Sequence, residues 1–234
     1  MMNGFPTAAD FNARRVTNPG QSEVIRARLY DYQIYPQAGV TQLTFFQTPV
    51  GQGTTSAVGA TVGTAKTFFD TNQELGGTLP SGKSYLIESI EIVFFPGSTA
   101  TGYIPAAEGF VGASATIAQV ADLNDVNTFY QAGLAELNVL SKNYVRETPA
   151  IAFPPKAQLD LSFGNSVVQG TNQGQGAGLL KAGGRPFFLE PSIALQPAVN
   201  FEFVLRYPAA VALPSGFNGR VGVIFDGYLM RASQ

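Results

Sequence analysis

Residues 84–95, SYLIESIEIVFF, constrain this chain more than any other stretch, and Gly82 and Pro96 bracket them. The β-branched and aromatic side chains favour an extended strand, and the proline stops the run before a helix of useful length could form. Alternate residues of a strand point to opposite faces. That parity sends Leu86, Ile90, Ile92 and Phe94 one way, and Tyr85, Ile87, Val93 and Phe95 the other. Both faces are largely apolar, so the strand is expected to be central and covered on both sides. Such a strand demands a multi-stranded sheet packed against a second layer.

The same grammar recurs along the chain. Residues 23–35 form a strand-like run closed by Pro36 and Gly39, and residues 41–48 form a second, closed by Pro49. The short link between them predicts a hairpin. Shorter strands are expected at 65–70, 144–148, 158–163 and 186–190. Near the end, Val199, Phe201, Phe203, Leu205 and Tyr207 share one face opposite Asn200, Glu202 and Arg206. In 220–230, Val221, Val223 and Phe225 share a face, and Asp226-Gly227 reads as a turn signal. One stretch reads as helix, about 122–140, with Leu123, Val126, Phe129, Tyr130, Leu134, Leu137 and Leu140 at three- and four-residue spacing. Asp122, Asn124 and Asp125 offer cap oxygens at its start. The small-residue segment 50–64 and the Gly/Gln/Asn-rich segment 164–184 read as long loops, the first of them mobile. These elements predict an all-β fold, an antiparallel β-sandwich of jelly-roll type with about eight to ten strands, long loops and one inserted α-helix. Residues 1–22 are expected to be an extended arm and 23–234 the jelly-roll domain. A single roll and a compact double roll both fit that length.

Composition narrows the chemistry. The chain has 234 residues with no cysteine, histidine or tryptophan. It therefore has no disulfide, thiolate nucleophile or imidazole base, and neither thiolate nor imidazole for a metal. Eighteen Phe and nine Tyr within a 45% hydrophobic content argue against disorder. Charged residues make up 13%, against about 25% in ordinary domains, and the net charge is −2. No basic field is present for a nucleic acid to follow. There is no run of the ~18 apolar residues that a spanning helix needs, and residues 1–10 lack the pattern of a signal peptide. Synthesis and folding in a cytosol are expected. So weakly charged a surface suits a chain covered by neighbours better than a free monomer.

The sharpest motif is residues 77–84, GTLPSGKS, which match the phosphate-loop pattern G-x-x-x-x-G-K-[ST]. That loop needs a helix after it, whereas residues 84–95 read as strand, so residues 79–82 are expected to be a turn feeding it. The apolar run ending at Asp226 resembles the partner motif, but no strand–helix alternation connects the two. Paired carboxylates would serve a glycosidase on a sandwich fold. Glu88 and Glu91, three apart in a strand, should point to opposite faces, and Asp160 and Glu202 lie on polar faces where solvated charges are ordinary. Arg14, Arg15, Arg26 and Arg28 outnumber Asp10 and Glu23 in the first 28 residues. No calcium-loop spacing of acidic residues occurs. The expected catalytic, cofactor-binding and metal-ligating residues are accordingly none, and the chain is not expected to be an enzyme or to need a cofactor or small-molecule substrate.

The order of parts carries a resemblance. An arm precedes an all-β body with Gly/Thr/Gln loops and an inserted helix, and two strong strands, NFEFVLRYP and RVGVIFDGYLMR, close it. Phe188-Leu-Glu-Pro-Ser-Ile, Asn200-Phe-Glu-Phe and Asp226-Gly-Tyr-Leu-Met-Arg231 add to the likeness. In this the chain resembles the jelly-roll major capsid proteins of tailless icosahedral bacterial viruses. The resemblance implies a structural shell protein that is made in the host cytoplasm and assembles into a virion capsid. It implies partners that are copies of itself in trimer or hexamer capsomers, with other capsid proteins as further partners. The arm with Arg14 and Arg15 would reach under a neighbour, or towards the genome or an inner membrane. Many such proteins carry two rolls, for which this chain is short. The alternative is a β-sandwich binding module for carbohydrate or receptor recognition, for which surface tryptophan, a calcium site or a signal sequence would speak.

Overall fold

The computed structural model describes residues 23–57, 60–61, 63–97, 117–155, 157–168, 171–182 and 186–231, with 117–123, 157–168 and 171–182 described by their backbone. In chain order the elements are β1 (Glu23–Tyr35), β2 (Gln42–Phe45), β3 (Lys83–Phe95), α1 (Ile117–Ala132), β4 (Leu134–Val139), β5 (Lys142–Pro149), β6 (Ala157–Val168), β7 (Thr171–Ala182), β8 (Phe187–Leu195), β9 (Phe201–Arg206) and β10 (Gly219–Arg231). The fold is the expected all-β antiparallel sandwich with one helix among the described residues. One sheet runs β1-β10-β3-β8, the other β2-β9-β4-β5, and β6-β7 form a separate hairpin.

The pairing has a mirror symmetry along the chain. With the β6-β7 hairpin set aside, the first strand pairs with the last, the second with the second-last, and so inwards to the β4-β5 hairpin. Successive pairs alternate between the two sheets, as if one long hairpin had been rolled up. The contacts β10-β3 and β9-β4 then knit the rolled pairs edge to edge.

This arrangement separates β1 from β2, which the sequence predicts to be a hairpin. They lie in different sheets, and the link between them is a crossing. Its turn closes with the Gly39 amide 2.9 Å from the Pro36 carbonyl. Gly39 has φ +79°, and a Cβ there would fall 2.4 Å from the backbone of Val211, so the crossing needs glycine.

β3 is central as expected, between β10 and β8, but its parity is not the one its sequence predicts. Tyr85 and Ile87 share the inner core with Ile90, Ile92 and Phe94, while Leu86 packs with Val24 in a separate cluster. The reason is a bulge. Ser89 pairs with Asp226 and Ile87 with Gly227, leaving Glu88 as the extra residue. The flip puts Glu88 and Glu91 on the same side of the sheet rather than on opposite ones, Glu88 half-buried and Glu91 buried. Asp226-Gly227 is correspondingly not a turn but the strand opposite the bulge. A Cβ on Gly227 would lie 1.8 Å from the Leu86 carbonyl oxygen, so glycine is what admits the close approach.

The helix runs Ile117–Ala132, starting earlier and stopping sooner than 122–140. Leu134, Leu137 and Leu140 fit a helical spacing, but Ala135, Leu137 and Val139 also alternate, and the partner β9 decides for strand. Gly133 separates the two states, packed so closely that a Cβ would lie 3.1 Å from the Ala150 side chain. Asp122, Asn124 and Asp125 are therefore inside the helix and do not cap it. Asp125 is buried and accepts from the Ser215 amide at 2.8 Å and from the Ser215 hydroxyl. Residues 65–70 are irregular rather than a strand. Most of 164–184 belongs to the β6-β7 hairpin rather than to a loop, and β8 extends well beyond 186–190. The arm, residues 1–22, lies outside the described residues.

The inner faces of the two sheets meet in one continuous core that includes the expected face Phe201, Phe203, Leu205 and Tyr207. Rings run through it. Phe46 lies 4.5 Å from Phe225, and Phe129 of α1 stacks on Phe94 at 4.4 Å, so the helix closes one end of the sandwich. Tyr35 stands edge-on to Phe129 and Tyr207 and donates to the Val211 carbonyl at 2.7 Å. Burial pushes its phenol up to about 12.

Candidate functional site

β1 is an edge strand, and exposed edges invite pairing with other chains. The described part of residues 47–82 crosses this edge as a strap. The Tyr32 amide donates to the Asp70 carbonyl at 2.7 Å, and the Asn72 side chain accepts from the Tyr30 amide at 3.0 Å. The strap's two limbs also bond each other, Gly51 to Lys66 at 2.8 Å and Thr55 to Thr64 at 2.7 Å. A mobile loop is expected for 50–64; of its described residues Thr55, Ser56 and Ala57 are buried, and the others are exposed or half-buried.

Two buried carboxylates pin the strap. Asp31 of β1 is fully buried, pairs with Lys66 at 2.5 Å and accepts from the Phe46 amide at 2.8 Å. Burial raises the Asp31 carboxyl, and Lys66, the Phe46 amide and Gln33 oppose that rise. Asp70 is also fully buried. It accepts from the Thr55 hydroxyl at 2.6 Å, the Ser56 amide at 2.7 Å, the Ser56 hydroxyl at 2.9 Å and the Thr67 amide at 3.1 Å. Burial alone would raise it, but these donors together hold it below the ordinary carboxylate value. Arg220 of β10 completes the cluster. Its guanidinium lies 4.1 Å from the centre of the Tyr32 ring, 3.9 Å from Asp70 and 2.6 Å from the Phe69 carbonyl.

These anchors hold a hydrophobic tip in solvent. Phe68 is 69% and Phe69 78% exposed, the two most exposed large apolar side chains among the described residues. Their backbone is fixed from both sides, because the Phe68 carbonyl accepts from the Tyr30 hydroxyl and the Phe69 carbonyl from Arg220. Phe68 forms one wall of a groove of about 220 Å3, with Leu29, Leu79 and Leu229 on its apolar side and Arg28, Asn72 and Gln73 among its polar lining. Lys83 and Glu74 form an ion pair on its rim.

The residues singled out in the sequence are dispersed. Lys83 of the phosphate-loop match heads β3, with a strand and not a helix after it. Asp226 and Glu88 are both paired with Arg26, at 3.2 and 3.3 Å. Glu202 accepts from the Asn138 side chain at 3.1 Å. Asp160 lies on β6 and its side chain is outside the described part, as are Arg14 and Arg15. No group of three acidic residues is placed to hold a metal among the described residues, and no described helix is long and apolar enough to cross a membrane. The strap cluster was not legible in the sequence. Asp31 and Lys66 are far apart in the chain, and the one local signal, adjacent phenylalanines before an aspartate, reads equally well as a short strand. Compared with known proteins, the chain matches no family model, no curated protein and no solved structure.

Proposed function

We propose that this chain is a structural shell protein, a jelly-roll subunit that self-associates. The particular reading is a viral capsid protein of the kind its sequence resembles. The observation that carries it is the strand pairing. Eight strands paired first with last and inwards, split over two sheets as β1-β10-β3-β8 and β2-β9-β4-β5, follow the order of a single jelly roll, with the β6-β7 hairpin as an insert. That roll is an architecture of viral capsids and of lectins, so the inference to function is by analogy of fold. Three features of the chain favour the shell over the lectin. Its surface is weakly charged, the strap presents apolar rings to solvent on a fixed platform, and there is no tryptophan to stack on a sugar. Of the carboxylates singled out in the sequence, Glu88 and Asp226 pair with Arg26 and Glu202 accepts from the Asn138 side chain.

Negative-stain microscopy and sedimentation velocity of the purified chain test this reading. Closed particles, sheets or discrete capsomers are expected. A chain that remains monomeric across concentration and salt overturns it.

A further inference from the structure

We propose that Asp31 and Lys66 condense, once the chain has folded, into an isopeptide bond between the Asp31 carboxyl and the Lys66 amine. The bond is a covalent staple in a chain that has no cysteine with which to make a disulfide. It does not depend on the shell reading, and in a chain caught before condensation the two groups form the ion pair described above.

Proximity comes first. Lys66 Nζ lies 2.5 Å from Asp31 Oδ1, and the two side chains are 4% and 0% exposed. Both backbones are held. Asp31 sits within β1, while Lys66 is bonded on the strap through its amide to the Gln52 carbonyl at 3.0 Å and through its carbonyl to the Gly51 amide at 2.8 Å. Two reactants fixed in contact behave as one molecule, which removes much of the barrier that the same reaction meets in solution.

The hydrogen bonding of the pair is lopsided. An ammonium carries three donors. Among the described residues Lys66 Nζ finds one acceptor, Asp31 Oδ1. The ammonium thus leaves two buried N–H groups unmet, whereas an amide nitrogen in its place has a single N–H and no charge. Unmet donors and charges are costly in a dry interior, so the site suits the amide better than the ions.

The other carboxyl oxygen is equipped for the addition. Oδ2 accepts from the Phe46 amide at 2.8 Å, and Gln33 Nε2 stands 3.4 Å from it while donating to the Thr44 carbonyl at 2.5 Å. Attack of an amine on a carboxyl carbon builds negative charge on the oxygen that stays, and donors already aimed there stabilise it. Phe46 delivers its amide from φ +67°, a left-handed conformation that is uncommon for a bulky residue and that clusters at functional sites.

The step balances within the pair. A proton passes from Nζ to Oδ1 and leaves a neutral acid beside a neutral amine. Burial favours the acid form of Asp31 and raises its carboxyl despite Lys66. Nζ then bonds to Cγ, the Cγ–Oδ1 bond breaks, and Oδ1 departs as water with a second proton from Nζ. The product closes residues 31–66 into a ring and ties the strap to β1, restricting the unfolded chain as a disulfide does.

Intact mass spectrometry of the purified chain, unfolded just before injection, tests the bond. The wild-type chain is expected to be lighter than its sequence by one water, and digestion should release a branched peptide joining the segment around Asp31 to the segment around Lys66. Lys66→Arg keeps the positive charge but has no amine to condense, so it should return the chain to its full sequence mass, with circular dichroism as the check on folding. If that variant does not fold, the wild-type mass and the branched peptide still decide. A folded wild-type chain at full sequence mass overturns the proposal. A missing water that maps elsewhere, such as to a succinimide at Asp226-Gly227, overturns it too.

Discussion

Asp31 and Lys66 set the terms at the residue scale, because each is tolerable inside the protein through the other. Removing one leaves an uncompensated charge, which costs far more than the pair is worth against apolar residues of the same size. Lys66→Met is expected to lower unfolding free energy by about 3–5 kcal/mol in urea titration. Adding Asp31→Asn should recover more than half of that loss, because the new side-chain amide can still accept from the Phe46 amide while carrying no charge.

Asp70 makes a different prediction, through pH. Its folded-state pKa is depressed below the ordinary 3.8, so its contribution is present above the unfolded value and lost as pH falls through the folded one. Asp31, raised by burial, acts with the opposite sign: its contribution is full below the unfolded value and fades as pH rises through the folded one. The two partly offset in wild type. The stability gap between wild type and Asp70→Asn should therefore be widest above about pH 5 and narrow as pH falls below about 4. Urea unfolding across that range measures it, and a gap of constant width would refute the assignment.

At the element scale the bulge in β3 is the decisive local event, since one extra residue reverses which side chains meet the core. Its tolerance depends on the opposite strand having no Cβ at position 227. Gly227→Ala should destabilise by about 3 kcal/mol or more, because the new carbon meets backbone that cannot swing aside. Gly51→Ala is the matched control. It has positive φ, at +86°, but open space around it, so it should cost only the ~1–2 kcal/mol of the backbone conformation. Equal losses would show that sterics at the bulge are not what glycine is for.

The bulge also marks where reading from sequence stops. The strands β1, β3, β9 and β10 were legible because alternation or a bracketed apolar run is a property of each segment alone. The flip at Glu88 was not, because it depends on which residue of β10 lies opposite. The end of α1 was ambiguous for a related reason. Leu134 to Leu140 satisfies both periods, and contact with β9 selects one. The strap fared worst, because its order comes from side chains of β1 and β10 that the strap's own small residues do not announce.

At the scale of the whole molecule, rolled-up pairing turns a chain of modest runs into one core with two four-stranded walls. It also disposes of the liabilities the composition raises. Among the described residues, some of the sparse charge is used in strand-to-strand pairs, such as Arg26 with Glu88 and Asp226, and Arg206 with Glu136. The net charge of the chain is only −2. Copies of such a body can approach closely without repelling one another, which is the property the proposed shell requires and the microscopy would reveal.

The mirror pairing has a temporal side. β10 lies between β1 and β3, so the first sheet has a gap at its centre until Gly219–Arg231 has been made. A ribosome that stalls earlier releases a polypeptide whose opening strand has no neighbour to zip against, and whose Arg220 is not there to steady the aromatic tip. The first sheet can therefore close only after its last strand has been made.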